Sequence, residues 1–333
     1  MNGYAPCEEL TRPPESLSHN AIHRRRVTAA DVGGDGLVGG GTVLDWMHRA
    51  AFVTAARWSG RYCLVASVGD VHLNRPIGVG EFVDVHAGLV YTGKTSMHIL
   101  VTVRSGGHAR ADGDHTAQCL IVFVAVADDG ERCAVAPWTP TTMLELQRHR
   151  QARIRMLTRR RIESAMAAAD YTADNHGSRH NPAHADANGS WRIHGGRVLQ
   201  WVADAADACG SDWIGAPVIT SYLAGVRFCR PIAATDVVDV AARVIHTGPR
   251  TVHVGVEVFT DDGHVRHRVA QALVVAISLD GSGDARAVPR WLPGTDEDRR
   301  LDAHARHLIE LRQFLEPFTA AAIFETATAA MAS

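Results

Sequence analysis

Two glycine pairs in this chain of 333 residues each open a segment with apolar residues at helical spacing. Gly40-Gly41 precedes Val43, Leu44, Met47, Ala50, Ala51, Thr54 and Trp58, and Gly195-Gly196 precedes Val198, Leu199 and Trp201. Amides at the head of a helix have no intrahelical acceptor and lie at the positive end of its dipole. Each pair therefore suits an oxygen on which negative charge develops. The same glycines also permit a tight turn from loop into helix, and the sequence leaves both roles open. The only lysine, Lys94, leads Lys94-Thr95-Ser96 after a Thr-Gly turn, and Arg250-Thr251 holds the equivalent place. A cation beside hydroxyls suits phosphate oxygens, and these are equally ordinary hairpin residues. His176, His180, His184 and His194 gather in one stretch without the acid and cysteine partners of a zinc site, so no metal is expected. Gly33-Gly34-Asp35-Gly36 lacks the strand-turn-helix setting of a dinucleotide fingerprint.

The elements that carry these residues occur twice. A shift of 155 residues lays GGTVLDWMHRAA (40–51) on GGRVLQWVADAA (195–206), Trp58 on Trp213, and Arg75-Pro76-Ile77 on Arg230-Pro231-Ile232. Over 28–93, 22 of 66 positions are identical to their counterparts, against about 4 or 5 for unrelated segments. A slightly shorter shift aligns AQCLIVFVAV (117–126) with AQALVVAISL (270–279), and Trp138 with Trp291. The chain is a duplicated domain.

Within each copy the helix precedes period-2 segments such as Val83, Val85, Ala87 and Leu89, then Met97, Ile99, Val101 and Val103. The apolar runs 119–126 and 272–279 predict central strands buried on both faces. One apolar helix followed by a meander of antiparallel strands defines an α+β layer in which the sheet wraps the helix. The expected organisation is an N-terminal tail (1–16), a first unit (17–138), an Arg-rich linker helix (139–169), a second unit (170–292) and a C-terminal helical segment (293–333) packed against the second sheet. The linker's spacing of Met143, Leu146, Ile154 and Leu157 predicts a solvated helix with a basic face. Residues 170–190 read as a polar loop.

Hydrophobic residues make up 46% of the chain and charged residues 21%, with 34 basic against 36 acidic side chains and 19 histidines counted as neutral. This excludes disorder as the main state. The net charge of −2 gives no electrostatic footprint for nucleic acid or an anionic membrane. Uninterrupted apolar stretches of about 18 residues are missing, and the N-terminus lacks the apolar core of a signal peptide. Six cysteines without a C-x-x-C pair are expected to be reduced, buried thiols in a cytoplasmic protein.

The ordered set Asp186-Ala187-Asn188, His194-Gly195-Gly196, Val68 to Ile77, and Tyr91-Thr92-Gly93-Lys94-Thr95-Ser96-Met97 resembles the tandem hot-dog acyl-CoA thioesterases of the cytosolic acyl-CoA hydrolase type. The resemblance covers nearly the whole chain apart from its ends. It implies two hot-dog units whose sheets join into one, with the two central helices packed across a pseudo-twofold and composite acyl-CoA clefts between the units. It implies hydrolysis of an acyl-CoA or acyl-carrier thioester with no cofactor beyond the substrate's coenzyme A, and assembly into homo-oligomers.

The same resemblance pairs an Asn before the His-Gly-Gly of one unit with an acid on the helix of the other. Asn188 holds the Asn position in the second copy, and Gly33 stands there in the first. The acid position falls on His48 and on Ala203, so the sequence departs from the pattern, and Asp204 comes one residue late. Asn188 with His48 is then the equipped site, His48 titrating near the ordinary histidine value of about 6.5, while Gly33 with Ala203 forms a vestigial one. Asp204 is a further catalytic candidate; His194, Gly195, Gly196, Gly40 and Gly41 would hold the carbonyl, and Lys94, Thr95, Ser96, Arg250 and Thr251 the coenzyme. Two alternatives stay open. The loss of both acids suits a decayed acyl-CoA binding module. His180-Asn181-Pro182-Ala183-His184 echoes hot-dog enoyl-CoA hydratases, although Arg179 replaces their Asp.

Overall fold

Glycine punctuation and apolar spacing set the two central helices. The computed structural model describes residues 19–107, 114–171, 176–180, 192–261, 265–281 and 283–312. Helix α1 spans Gly40–Ser59 and α3 spans Gly195–Ile214. Both ends of α3 thus lie 155 residues beyond those of α1. Each helix stops at a left-handed glycine, Gly60 at φ 63° and Gly215 at φ 72°, where a side chain would be strained. Met47, Ala50, Ala51 and Ala55 of α1 are fully buried, as are Leu199, Val202, Ala203 and Ala206 of α3. Helices buried this far around need cover on several sides.

The cover is one antiparallel sheet of ten strands. The first unit supplies β1 (Asn20–Arg26), β2 (Tyr62–Leu73), β3 (Phe82–Thr92), β4 (Ser96–Gly106) and β5 (Asp114–Val126). The second supplies β6 (His176–His180), β7 (Ile219–Phe228), β8 (Val237–Thr247), β9 (Val252–Asp261) and β10 (Arg266–Ile277). The order β1-β3-β4-β5-β2-β7-β10-β9-β8-β6 reads the same from either end once the copies are exchanged. At the centre β2 pairs with β7, Val68 opposite Val226 and His72 opposite Tyr222. This seam turns two sheets into one, and the expected α+β tandem hot-dog is the fold observed.

The duplicated details have matching structural roles. Trp58 Nε1 donates to the Ala136 carbonyl at 3.0 Å, and Trp213 Nε1 donates to that of Pro289 at 3.2 Å. The amides of Trp138 and Trp291 donate to Thr92 Oγ1 and Thr247 Oγ1, both at 2.8 Å. The paired Thr-Gly turns therefore anchor the segment that leaves each sheet.

The linker forms α2 (Met143–Ala167), and the C-terminal segment forms α4 (Asp296–Arg312). The apolar positions spaced along α2 form no packed face, Met143 and Ile154 being 80% and 68% exposed, in keeping with a solvated helix. Ala152 instead packs with Val90, Leu100 and Leu120, while Ile162 and Met166 join Tyr171, Leu301 and Leu308 of a second apolar cluster. A small residue lets the helix lie close to the sheet, and its arginines reach around: Arg159 donates to Ser67 Oγ at 2.9 Å. The polar stretch read as a loop contains strand β6, which pairs with β8 as β1 pairs with β3. As an edge strand with one neighbour it needs no apolar alternation, so the hydrophobic pattern does not reveal it. The cysteine reading also changes, since Cys229 is exposed while Cys63, Cys119, Cys133 and Cys209 are buried.

Candidate active site

The glycine pairs are explained first by the crossing of the two helices. A Cβ on Gly41 would stand 2.9 Å from Gln200 Cα, and one on Gly196 would stand 2.2 Å from Asp45 Oδ1. Each helix thus drives its head against the middle of the other, where any larger side chain collides. Its first amides stay without a helical acceptor at that place. This packing is a role the sequence did not suggest, and it is compatible with both the tight turn and the amide presentation left open there.

One cleft lies at the head of α3, a cavity of about 200 Å³ lined by residues of both units. α1 contributes His48 and Phe52, β2 contributes Val65, and the approach to α3 contributes His194 and Gly195. The pairing of His48 with the second unit's glycines is direct: a Cβ on Gly195 would meet Val65 Cγ1 at 2.5 Å and His48 Nε2 at 2.6 Å. The His48 ring lies 4.8 Å from that of His194 in an edge arrangement and 5.2 Å from Phe123. Neither of its nitrogens has a hydrogen-bond partner among the described residues. Burial, helped by His194 and Arg49, holds the imidazole well below its ordinary pKa. This corrects the expected titration near neutrality: His48 is a neutral ring that can donate at one nitrogen and accept at the other. His194 is lowered too, chiefly by burial. Arg132 and Arg230 line the mouth of the cleft, both exposed.

The pseudo-twofold generates a second cleft at the head of α1, of about 190 Å³, lined by Gly40, Val43, Leu73 and Thr220 among others. Of the residues 155 positions on from His48, Val65 and Phe52, Thr220 lines this cleft, whereas Ala203 and Asp207 do not. This cleft is not stripped of polar groups as the motif reading expected. Thr220, 3% exposed, donates its hydroxyl to Asp207 Oδ1 at 2.7 Å. A Cβ on Gly40 would meet Thr220 Cβ at 3.0 Å, so the threonine stands against the helix head and Asp207 bonds it from outside the cleft lining. Burial pushes the Asp207 carboxyl up to about 7, with nearby Asp204 adding to the rise and the Thr220 hydrogen bond opposing it.

Other expected site residues fall elsewhere. Asp204 is exposed on α3 and lines neither cleft, although desolvation by its surroundings raises its pKa. Lys94-Thr95-Ser96 and Arg250-Thr251 line neither cleft. They close hairpins, the Gly93 amide donating to the Ser96 carbonyl at 2.8 Å and Gly248 to that of Thr251 at 2.9 Å. The cations that line the first cleft are Arg132 and Arg230, not Lys94 or Arg250. Gly33 donates its amide to the Leu37 carbonyl at 2.9 Å in a turn. His180 stacks on Trp201 at 4.9 Å and bonds Ser178, which commits that part of the hydratase-like motif to β6. Asn188, Asp186, Asn181 and His184 lie outside the described residues. Among the described residues no three His, Cys, Asp or Glu side chains converge as a metal site would require, and no helix is long and apolar enough to cross a membrane.

Two composite clefts, each at a helix head under a shared sheet, define a double hot-dog protein. Residues 35–111 and 192–267 each match the thioesterase superfamily, so a stretch similar to its domain occurs twice in the chain. It is 21% identical over 313 residues to the cytosolic acyl coenzyme A thioester hydrolase of Mus musculus, covering 86% of this chain and 81% of that one. Protein VdlD of Helicobacter pylori is 29% identical over 127 residues, which is 38% of this chain and 72% of that protein. Among solved structures, the 12:0-ACP thioesterase of Umbellularia californica superposes with a TM-score of 0.54 at 13% identity, covering 78% of this chain and 97% of that one, a likeness of fold.

Proposed function

We propose that the chain hydrolyses the thioester bond of an acyl-CoA in the cleft at the head of α3. The observation that carries this reading is the close approach of Gly195 to His48 of the other unit, which brings the head of α3 beside a neutral imidazole with no hydrogen-bond partner among the described residues. The carbonyl oxygen of the thioester would take the α3 amides, which stabilise the negative charge formed as water adds. His48 would hold that water by hydrogen bonds; with its pKa low, it orients the nucleophile more than it stores a proton. The acyl chain would run along the apolar walls at Phe52, Val65 and Val198, and the coenzyme phosphates would meet Arg132 and Arg230. The sequence resemblance adds Asn188 as a further polar partner for the reacting carbonyl or water.

The products would be a carboxylic acid and free coenzyme A, with no cofactor required. The relatives' names and the described free cysteines support a cytoplasmic setting, and assembly of double units into homo-oligomers is part of the reading. Thiol release monitored with a chromogenic disulfide over acyl-CoAs of increasing chain length tests the function. A hydratase would change enoyl absorbance without releasing thiol. A binding module would retain acyl-CoA unchanged.

A further inference from the structure

We propose that the cavity between α2 and the outer face of the sheet, at the seam of the two units, binds a small free oxyanion such as inorganic phosphate, held by Arg155, Arg159, Arg227 and His98. It lies across the sheet from α1 and α3, and it does not depend on the thioesterase reading.

The pleat of the strands puts these groups there. Along β4, Met97, Ile99 and Val101 join the core around α1, while Leu100 packs with Ala152 of α2, so His98 faces α2 as well. From the sheet side the cavity, of about 40 Å³, is bordered by His98 of the first unit and Arg227 of the second; Arg155 and Arg159 of α2 cover it. That is room for about three waters or one small oxyanion.

Comparing α2 with α4 shows what is unusual. The shift of 153 that lays Trp138 on Trp291 also lays Ala152 on Ala305, Arg155 on Leu308 and Arg159 on Arg312. Both alanines are fully buried. Under α4 the place is packed, Leu308 lying fully buried in a cluster with Tyr171 and Leu273. Under α2 a guanidinium stands where that leucine would, and a cavity remains. A cation set against a sheet in this way needs compensating negative charge.

The negative charge present falls short. Three guanidiniums line the cavity, against the two carboxylates of Asp70 and Glu163. Glu163 pairs with Arg159 at 3.1 Å, and Asp70 is shared between Arg155 and Arg312, which approaches it at 3.4 Å. The Arg227 side chain has no ion-pair or hydrogen-bond partner among the described residues. Burial lowers the pKa of Arg155 and Arg159 by more than these carboxylates raise it. His98, 2% exposed, packs edge-to-face on Tyr91 at 5.0 Å, and its Nδ1 has no hydrogen-bond partner among the described residues. Burial, helped by Arg159, pushes its pKa down to about 3, so the ring is neutral and Nδ1 can carry a proton to donate. An oxyanion accepting from the guanidiniums and this imidazole would satisfy the orphaned nitrogen and offset the surplus charge together.

The test is thermal melting of the full chain against inorganic phosphate, with chloride at matched ionic strength as reference, alongside calorimetric titration of phosphate. Phosphate should raise the melting temperature saturably, by about 2 to 4 °C, because a ligand of the folded state stabilises it. Arg227→Gln and Arg155→Leu should each remove both the rise and the heat of titration. Arg155→Leu installs the side chain that α4 uses, so without phosphate it should melt no lower than wild type, which separates a lost site from a lost fold. Coenzyme A distinguishes a free anion from a tethered phosphate. Protection by the coenzyme that disappears in Arg227→Gln would make it the occupant and overturn the free-anion reading; protection that survives, or none in either protein, agrees with that reading. A rise equal in wild type and both variants is the general effect of an excluded salt and overturns the proposal, as does no rise at all.

Discussion

Tyr222 donates its hydroxyl to Asp70 Oδ1 at 2.6 Å across the seam where β2 of the first unit meets β7 of the second. Arg312 of α4 approaches the same carboxylate at 3.4 Å, so one polar knot ties both sheets to the outer helix. Tyr222→Phe removes one hydrogen bond and leaves the carboxylate its arginine. The expected loss is about 1.5 to 3 kcal/mol, the range for hydrogen bonds to charged groups. Equilibrium urea unfolding measures it, and an unchanged midpoint would show that the seam is held by backbone pairing alone.

A fragment of residues 1–150 should not fold as a stable monomer. It would expose the β2 edge that β7 covers and the face of α1 that meets Gln200 and Gly196. Uncovered edges and apolar faces favour association over solitary folding. Sedimentation with thermal unfolding checks this; a monomer with a cooperative transition would refute the shared-interface account.

Gly195→Ala tests the helix head of the first cleft. The added methyl would overlap Val65 Cγ1 and His48 Nε2, and overpacking of this kind costs about 1 to 3 kcal/mol. Thiol release should fall with the melting temperature as the ring is displaced from the amides. Gly34→Ala is the control, since nothing stands within 4 Å of its added carbon; it should leave both measurements near wild type.

Stability against pH provides a check on Asp207 independent of turnover. Its folded pKa is raised, so the unfolded chain releases this proton first as pH climbs. The folded state therefore loses stability from the ordinary Asp value of about 4 up to about 7, and the loss is complete above that. Asp207→Asn, which cannot ionise, should remove this loss and melt at higher temperature than wild type at pH 8, by something like 1 to 3 kcal/mol in stability. Calorimetry at pH 5 and pH 8 reads it: the advantage should be larger at pH 8. Equal differences at both pH values would contradict the raised carboxyl.

The fold was legible because duplication makes the sequence its own control. Gly40-Gly41 and Gly195-Gly196 marked both helix heads, and Val83, Val85 and Ala87 marked a strand by alternation. The edge strand His176–His180 escaped because half-paired backbone imposes no apolar period. The residues by which α2 does touch the sheet gave no such signal, because the contact is set by small Ala152 and by arginines that reach around it. At the site, His48 was found at the acid position that the family resemblance implies. Its charge state was not, because desolvation by Phe123 and the neighbouring ring is a property of packing. The Asp207–Thr220 pair joins two elements 13 residues apart. A signal for it existed in the acid set among alanines and in the shift that lays Thr220 on Val65.

The exchange of helix heads has a consequence for how such a protein can change. In each cleft the helix head comes from one half of the gene and facing residues come from the other. A substitution on α1 near its head, at Gly40 or Val43, reaches the second cleft, while one at His48 or Phe52 of the same helix reaches the first. Neither half holds a finished cleft. Recombination that replaced one unit with a relative's would make two hybrid clefts and no parental one, so the halves are bound to diverge as a pair.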